Sequence, residues 1–302
     1  MKGVKVTVPM ALGPAHLLST DVTEAEHAAW AAGTTYALAD RVIKGNRIWE
    51  SAQAANVGHD PQTSGAVWWL EVGPTNRWAA FDLLKATPTA NATSLYYEFS
   101  LGQSIDAVHL VGLTDVSTVR IRLTSAIAGL VLDSGDSPTG MVMTDTSYWN
   151  FFYGPRAFVN EIHWYDLPGY EDMTLRIDIT GGANLSVLYV LAGQVTTLGI
   201  GARMGLSVGT ESFGSTPRDQ WGVPTLKKRP KARRLSFTLL HERAQGDDIG
   251  DFLDGSDIVV GLWNMSDQHR ITKVIGTVTD WRLVFEYATH SETSIELLGM
   301  PT

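Results

Sequence analysis

The chain has 302 residues, of which 18% are charged, a formal net charge of −9 and no cysteine. This length predicts two or three domains with enough apolar residues for their cores. The lack of cysteine excludes disulfides and is compatible with assembly in a reducing cytoplasm, while the acidic balance disfavours a nucleic-acid coat. No run of about eighteen apolar residues is present, so we expect no membrane insertion.

The N-terminal residues alternate apolar and polar side chains. The stretch from Val4 to Pro9 does not form a continuous apolar block, so it predicts a strand rather than a signal peptide. We expect residues 1–25 to form an N-terminal strand and arm.

Residues 26–74 predict a small three-stranded domain. Thr34–Tyr36, Arg41–Ile43 and Arg47–Glu50 are its predicted strands, with a hairpin corner at Gly45-Asn46 and a closing segment at Trp68–Leu70. A unit this short folds only when a few large rings supply most of the buried area, roughly 150–250 Å² each. The rings available are Trp30, Tyr36, Trp49, Trp68 and Trp69.

The order of residues in this domain resembles the carbohydrate-binding modules of family 5/12, the small chitin-binding type. The matching positions are Trp30, Tyr36, Asp40, Val42, Gly45, Trp49, Glu50, Pro61 and Trp69. The resemblance implies a glycan site on an aromatic face, for which Trp49, Trp68, Trp69 and Tyr36 are the candidates. Trp68 is the best candidate for an exposed ring, because it adjoins Trp69 and successive strand residues face opposite ways.

One departure from the family bears on this site. Members that hold sugar usually carry exposed aromatic residues directly after the Glu, whereas this chain has residues 51–55, Ser-Ala-Gln-Ala-Ala, at that place. The alternative is that the tryptophans only staple a small core.

The junction after the module carries a second resemblance. Residues 75–82, Thr-Asn-Arg-Trp-Ala-Ala-Phe-Asp, follow a Gly-Pro turn, and residues 13–22 lead into the module. Together with the module, this arrangement resembles structural proteins of tailed bacteriophage virions, particularly tail-tip or baseplate components. The resemblance covers roughly the first ninety residues, and it implies a place in a particle rather than an activity.

Residues 75–198 are predicted to form one domain, because a period-two alternation runs from Leu95 to about Gly193 and predicts strands. The predicted strands are Leu95–Phe99, Ile105–Val111, Val119–Leu123, Phe158–Trp164, Thr174–Ile179 and Leu185–Leu191. Such an array indicates a jelly-roll-like β-sandwich, similar in general pattern to galactose-binding-like sandwiches.

An aromatic cluster at Tyr148–Tyr153 follows a long predicted loop at Asp133–Gly140. Aromatic residues near a loop are enriched at protein interfaces and in ligand sites, which makes Trp149 and Tyr153 candidate interface residues. A core plug beneath the loop is the alternative.

Residues 199–302 predict a third, β-rich domain. Its predicted strands are Leu235–Leu240, Ile258–Trp263, Lys273–Trp281 and Ser294–Leu298, and Gln245–Leu253 predicts a short helix.

A basic run precedes these strands and supplies the remaining candidate interface residues, which are Lys227, Lys228, Arg229, Arg233 and Arg234. The run lacks the interleaved aromatic residues that stack on single-stranded bases, so we expect no nucleic-acid partner. A solvated loop, or an arm that pairs with acidic patches on neighbouring subunits, is the preferred interpretation.

Several enzyme-like motifs fail their structural context. Gly205–Gly209 fits the G-x-S-x-G pattern, but no helix is predicted after it, and Gly199–Gly205 has one residue too many for a dinucleotide fingerprint. The acidic stretch 246–257 lacks the spacing of a calcium loop. Glu161 and His163, with Asp166 nearby, make a metal or acid–base site conceivable, although satisfied polar residues on a solvent-facing strand are preferred.

The sequence therefore predicts an all-β protein with an N-terminal arm, a carbohydrate-module-like domain (26–74), a sandwich (75–198) and a C-terminal domain (199–302). We expect a non-enzymatic component of a tailed-phage virion, assembled in the host cytoplasm, with no cofactor and no metal. Its expected partners are other tail proteins, further copies in a homo-oligomer that matches the tail symmetry, and weakly a host surface polysaccharide. The alternative is a lectin-like protein, standing alone or accessory to an enzyme.

Overall fold

The computed structural model describes residues 3–143, 148–153, 156–218, 220–222, 224–225, 227, 229–256, 260–266, 269–285, 287 and 289–301. Strands make up 52% of it and helices 9%, so the predicted all-β class is confirmed. The strands are β1 (Val4–Pro9), β2 (Leu17–Thr20), β3 (Arg41–Lys44), β4 (Arg47–Ser51), β5 (Trp69–Pro74), β6 (Thr89–Ala90), β7 (Ser94–Ser100), β8 (Ala107–Val111), β9 (Thr114–Ser125), β10 (Gly129–Asp133), β11 (Ser137–Pro138), β12 (Gly140–Met143), β13 (Arg156–Val159), β14 (Glu161–Trp164), β15 (Met173–Val187), β16 (Tyr189–Leu198), β17 (Gly201–Ala202), β18 (Ser207–Ser212), β19 (Lys231–Glu242), β20 (Gly261–Asn264), β21 (Lys273–Val284) and β22 (His290–Gly299). The helices are α1 (Asn76–Ala79), α2 (Tyr148–Tyr153) and α3 (Gly246–Ser256), with 3₁₀ turns at Arg243–Gln245 and Arg270–Thr272.

The chain divides into two compact units. Unit 1 comprises Met1–Met10, Ile105–Ala107 and Ala192–Thr302, and unit 2 comprises Ala11–Ser104 and Val108–Leu191. The first strand therefore belongs with the C-terminal part of the chain, because β1 pairs with β16 and with β20. The carbohydrate-module-like segment lies within unit 2, together with the sandwich strands.

Unit 1 is built on one antiparallel sheet with the strand order β16-β1-β20-β21-β22-β19-β17, in which β18 also pairs with β19. The predicted strand at the N terminus is confirmed as β1, whose Val4 and Val6 are buried. Helix α3 confirms the helix predicted at Gln245–Leu253, and it packs Ile249 and Leu253 into the same core as Trp263.

The larger of the sheets that lie wholly within unit 2 is antiparallel and has the strand order β10-β9-β15-β7-β2. Its strand β7 alternates strictly, since Leu95, Tyr97 and Phe99 are buried whereas Tyr96 and Glu98 between them are half-buried. This pattern is typical of an antiparallel sheet with one face on a core and the other toward water. We call the second face the outer face of the large sheet.

Helix α1 anchors that core. Trp78 packs its ring 5.8 Å from Phe81 and 6.5 Å from Phe99, and Phe81 meets Tyr97 edge-on at 5.0 Å. The junction at residues 75–82 therefore has a structural role, because its Trp78 and Phe81 pack against Tyr97 and Phe99 of β7.

The small module has the predicted number of strands but a different set of them. β3 and β4 form the predicted hairpin, in which Gly45 (φ 62°) and Asn46 (φ 61°) are both left-handed, as a two-residue type I′ turn requires. The predicted strand Thr34–Tyr36 is wrong, because Tyr36 makes only an isolated bridge with Asn56. The third strand is instead β5, which carries Gly73 and Pro74 where a turn was predicted.

Several predicted boundaries also differ. Phe158–Trp164 is divided between β13 and β14, and Leu185–Leu191 is divided between β15 and β16 at Leu188. The aromatic cluster at Tyr148–Tyr153 forms α2, although no helix was predicted there. In the predicted strand Ile258–Trp263, residues 258 and 259 lie outside the described residues, and β20 begins at Gly261.

Candidate functional site

The core of the module consists of Tyr36, Val42 and Trp69. The rings of Tyr36 and Trp69 meet edge-on at 5.2 Å, and the Trp69 Nε1–H donates to the His59 carbonyl at 2.8 Å. Tyr36 is 7% exposed and Trp69 is 1% exposed. Buried rings offer no face to a sugar, so these two glycan candidates belong to the core.

The two other glycan candidates are half-buried. The Trp49 Nε1–H donates to the Lys44 carbonyl at 3.0 Å, which fixes the indole against the β3–β4 hairpin. Trp68 stacks on His59 with 3.5 Å between ring centroids and 13° between planes. One face of Trp68 is therefore covered by an imidazole, and both Trp49 and Trp68 pack against the module core.

Lys44 closes a further side of the module. Its Nζ lies 3.7 Å above the Trp30 ring and 2.6 Å from Asp60 Oδ2. The hydrogen bond from Lys44 lowers the pKa of Asp60 below its usual value. Most of the aromatic rings of the module thus contact other residues of the module.

The basic run was predicted to be a solvated loop or an arm, and the structure divides it between an exposed segment and a strand. Its second half begins β19, where the Arg234 Nη2 donates to Glu296 at 2.6 Å and the Arg233 Nη1 donates to the Lys273 carbonyl at 3.2 Å. The ion pair with Glu296 raises the pKa of Arg234. Lys228 lies outside the described residues.

An exposed hairpin arm precedes β19. We call residues 213–230 the arm, and every described residue in it is exposed, including Lys227 and Arg229. Its two sides are joined by hydrogen bonds between Ser215 and Lys227 at 2.9 and 3.1 Å and by a third from the Thr225 N–H to the Pro217 carbonyl at 2.8 Å. The arm carries four cations and one carboxylate, a charge of +3, on a chain of net charge −9.

The aromatic helix α2 is the second exposed surface. Tyr148, Trp149, Phe152 and Tyr153 are 74%, 70%, 59% and 76% exposed. The rings pair along the helix, with centroids 5.2 Å apart for Tyr148 and Phe152 and 5.3 Å apart for Trp149 and Tyr153. The exposures contradict a core plug, so Trp149 and Tyr153 remain interface candidates at the tip of the β12–β13 hairpin.

A histidine pair was missed in the sequence. His163 on β14 lies opposite His109 on β8, and their Nδ1 atoms are 3.3 Å apart. His109 is fully buried, and Glu161 and His163 are half-buried, so β14 is not a solvent-facing strand. No periodicity reveals this pair, because 54 residues separate its members.

The remaining motifs adopt non-catalytic local structures. Ser207 of the G-x-S-x-G pattern opens β18 rather than a strand-to-helix turn. The acidic stretch from Gly246 forms α3. Within the part of the chain that the structure describes, no group of three or more His, Asp or Glu residues is placed to hold a metal ion. In that same part, no helix is both long and apolar enough to cross a membrane.

Comparison of the chain with protein-family models, with curated proteins and with solved structures gave no match.

Proposed function

We propose that the chain is a non-enzymatic structural subunit of a tailed-phage particle, at the tail tip, baseplate or fibre-attachment complex. It assembles with further copies of itself and with other tail proteins. A weak contact with host surface glycan, through the remaining faces of Trp49 and Trp68, is a secondary role.

The observation that carries this proposal is the arm. Ordering one backbone residue costs about 1–2 kcal/mol, and an isolated two-stranded hairpin is marginally stable in water. Every described residue of the arm is exposed, so the arm recovers little of this cost by burial within its own chain. A neighbouring subunit that covers the arm supplies the missing burial.

The charge of the arm indicates which partner fits. Its charge of +3 contrasts with the −9 of the whole chain, so a second copy presents an acidic surface to it. Opposite potentials steer association and set orientation more than they add affinity. A head-to-tail contact of this kind closes into a ring when the rotation between copies allows it.

Helix α2 supports the same role. Its exposed Trp and Tyr rings are the residue types that are enriched in the buried centres of protein interfaces. Exposed apolar patches of this kind mark sites of interaction. The arm and α2 give the subunit two distinct surfaces for assembly.

The choice of a phage particle is supported by the resemblance of the module and its junction to tail proteins. An antibody against the chain tests it directly, applied to tailed particles released by the strain whose DNA encodes the chain. We expect gold label at one end of the tail in negative stain. Particles without label, in a preparation whose lysate contains the chain, would contradict the virion role.

A shortened arm tests the assembly role. In this variant an Asn-Gly turn replaces residues 216–226, so that the paired Ser215 and Lys227 close a two-residue hairpin. Native mass spectrometry of the full chain should show a ring for the parent and smaller species for the variant. The matched control replaces residues 126–128, the exposed turn between β9 and β10, and should leave the mass of the assembly unchanged. If the parent, the shortened-arm variant and the control assemble equally, the arm is not part of the interface.

A further inference from the structure

The outer face of the large sheet in unit 2 holds a polar pocket of about 370 Å³. This volume falls within the ~300–1,000 Å³ of small-molecule sites. Four of its lining side chains form one row across four adjacent strands, because Asp133 pairs with Arg122, Arg122 with Arg176, and Arg176 with Glu98. These four residues are distant in sequence, and the register of the paired strands brings them into one row.

Ion pairs fix the two central arginines of this row. Asp178 accepts from the Arg122 Nη2 at 2.5 Å and from the Arg176 Nε at 3.0 Å. The Arg176 guanidinium lies 4.6 Å from the centre of the Tyr96 ring, which supports it from the side. Half-exposed ion pairs add little to the stability of the fold. They do hold the guanidinium groups in place, so binding of a ligand costs less side-chain entropy.

Several polar groups of the pocket remain unused among the described residues. The Arg122 Nη1 and Nε, the Arg176 Nη2 and the Glu98 Oε1 make no hydrogen bond there, whereas the Arg122 Nη2, the Arg176 Nε and Nη1 and the Glu98 Oε2 do. Thr124 and Thr174 stand side by side across β9 and β15, and their hydroxyls also make none. The pocket thus combines donors, an acceptor and two hydroxyls that serve as either.

The charges of the pocket balance. Its lining has two guanidinium groups, from Arg122 and Arg176, and two carboxylates, from Glu98 and Asp133. An anion that approached the arginines would also meet these carboxylates, and a cation would meet the arginines. Leu130 adds an apolar wall that is 61% exposed. Asp133 is already bonded to Arg120 and to the Gly135 N–H, so the groups left for a ligand are the arginines, Glu98 and the threonines. A neutral molecule with many hydroxyls and an apolar C–H face fits these groups and Leu130.

We infer that this pocket binds a ring of a neutral saccharide. Sugar hydroxyls accept from the guanidinium groups and donate to Glu98, the threonine hydroxyls complete the set, and the ring C–H groups pack on Leu130. The inference goes beyond the proposed assembly role and does not depend on it, since the pocket uses none of the residues of the arm, α2 or the module.

An array of immobilised oligosaccharides, with neutral, sialylated and phosphorylated members, tests the full-length chain. We expect binding to neutral members, with a dissociation constant that changes little from low to high salt, because no net charge is neutralised. Titration calorimetry with the sugar that binds then compares variants. Thr174→Val and Thr124→Val keep the side-chain shape, and each should weaken binding about 3- to 10-fold for one lost hydrogen bond.

Three controls locate the effect. Thr180→Val alters the same face of β15 at a threonine bonded to Thr118, outside the pocket, and should leave the affinity unchanged. Trp68→Ala, in the module, should also leave it unchanged, and the shortened arm should bind sugar normally even when assembly is lost. The inference is overturned by binding to anionic members alone, by an array without neutral binding, by threonine variants that bind like the parent, or by binding that Trp68→Ala abolishes.

Discussion

The module and helix α2 use the same residue types in opposite ways. Tyr36 and Trp69 are at most 7% exposed, whereas Trp149 and Tyr153 are at least 70% exposed. Both regions are short and rich in aromatic residues, and both lie in unit 2. The difference is that residues of β5 and of the loop before β3 form the core of the module, whereas β12 and β13 form a two-stranded sheet of their own among the described residues. Aromatic composition therefore marks a region of interest, but the surrounding strands decide whether its rings stabilise the fold or meet a partner.

The largest expected effect comes from Trp69→Ala. Removing a buried tryptophan costs about 3–5 kcal/mol through lost burial and the cavity that remains. The variant should lose amide protection throughout β3, β4 and β5 in hydrogen exchange. Trp149→Ala is the matched control, and it should change protection in the module by less than about 0.5 kcal/mol. Equal effects of the two substitutions would break the comparison between buried and exposed rings.

The next effect concerns a buried ring of the sandwich at alkaline pH. Burial, followed by the nearby charge of Asp82, raises the pKa of Tyr189 to about 12. The pKa of an unperturbed tyrosine is about 10. Above pH 10 the Tyr189 hydroxyl therefore ionises in the unfolded chain before it ionises in the folded one, which favours unfolding. The contribution of Tyr189 is therefore complete below about pH 10 and is lost as the pH rises towards 12.

Tyr189→Phe removes this dependence. Denaturant unfolding of unit 2 at pH 9, 10 and 11 should show a smaller alkaline loss for the variant, with a difference of about 1–3 kcal/mol over the window. Tyr153→Phe, on the exposed helix, should follow the parent curve. Parallel curves for the parent and Tyr189→Phe would show that this ring does not control alkaline stability.

A smaller effect is expected at the polar end of a buried ring. The Tyr36 hydroxyl accepts from the Ala31 N–H at 2.8 Å and donates to the Ala31 carbonyl at 3.3 Å. Tyr36→Phe keeps the ring but leaves these backbone groups without their partner, at a cost of about 1 kcal/mol. Thermal unfolding with hydrogen exchange in the module measures it. Tyr148→Phe on α2 should not change the free energy of unfolding, because this side chain is exposed. A loss as large as that of Tyr36→Phe would show that the Tyr148 hydroxyl also stabilises the fold.

Local alternation made much of the fold predictable. The segments Val119–Leu123 and Thr174–Ile179 lie within β9 and β15, because their period of two reports a sheet with one buried face. Thr34–Tyr36 was predicted wrongly, since its β-prone residues serve a loop that wraps around the Tyr36 ring. Helix α2 was missed because a run of aromatic residues gives no contrast between two faces.

The pocket on the large sheet could not be predicted from the sequence. Arg122 and Arg176 are in register but 54 residues apart in sequence, and neither belongs to a motif. Only the pairing of β9 with β15 makes them neighbours. The candidate residues of the basic run were found from charge alone, but composition could not tell that Arg234 is paired in a strand while Lys227 lies on an exposed arm.

The smallest effect on stability is expected on α2. These variants also test most directly the comparison between the buried rings of the module and the exposed rings of this helix. Trp149→Ser and Phe152→Ser remove rings that are 70% and 59% exposed, so each should change the free energy of unfolding by less than about 0.5 kcal/mol. Their effect should appear in assembly instead, because exposed aromatic anchors contribute about 2 kcal/mol or more when a partner buries them.

Sedimentation of the purified chain at several concentrations separates the two outcomes. We expect weaker assembly, by at least about 30-fold in dissociation constant, at unchanged stability. Leu84→Ser, at an exposed leucine (71%) away from the helix, is the control for loss of a surface apolar group and should assemble normally. If the α2 variants unfold more easily and assemble as well as the parent, then α2 packs on its own chain and resembles the module after all.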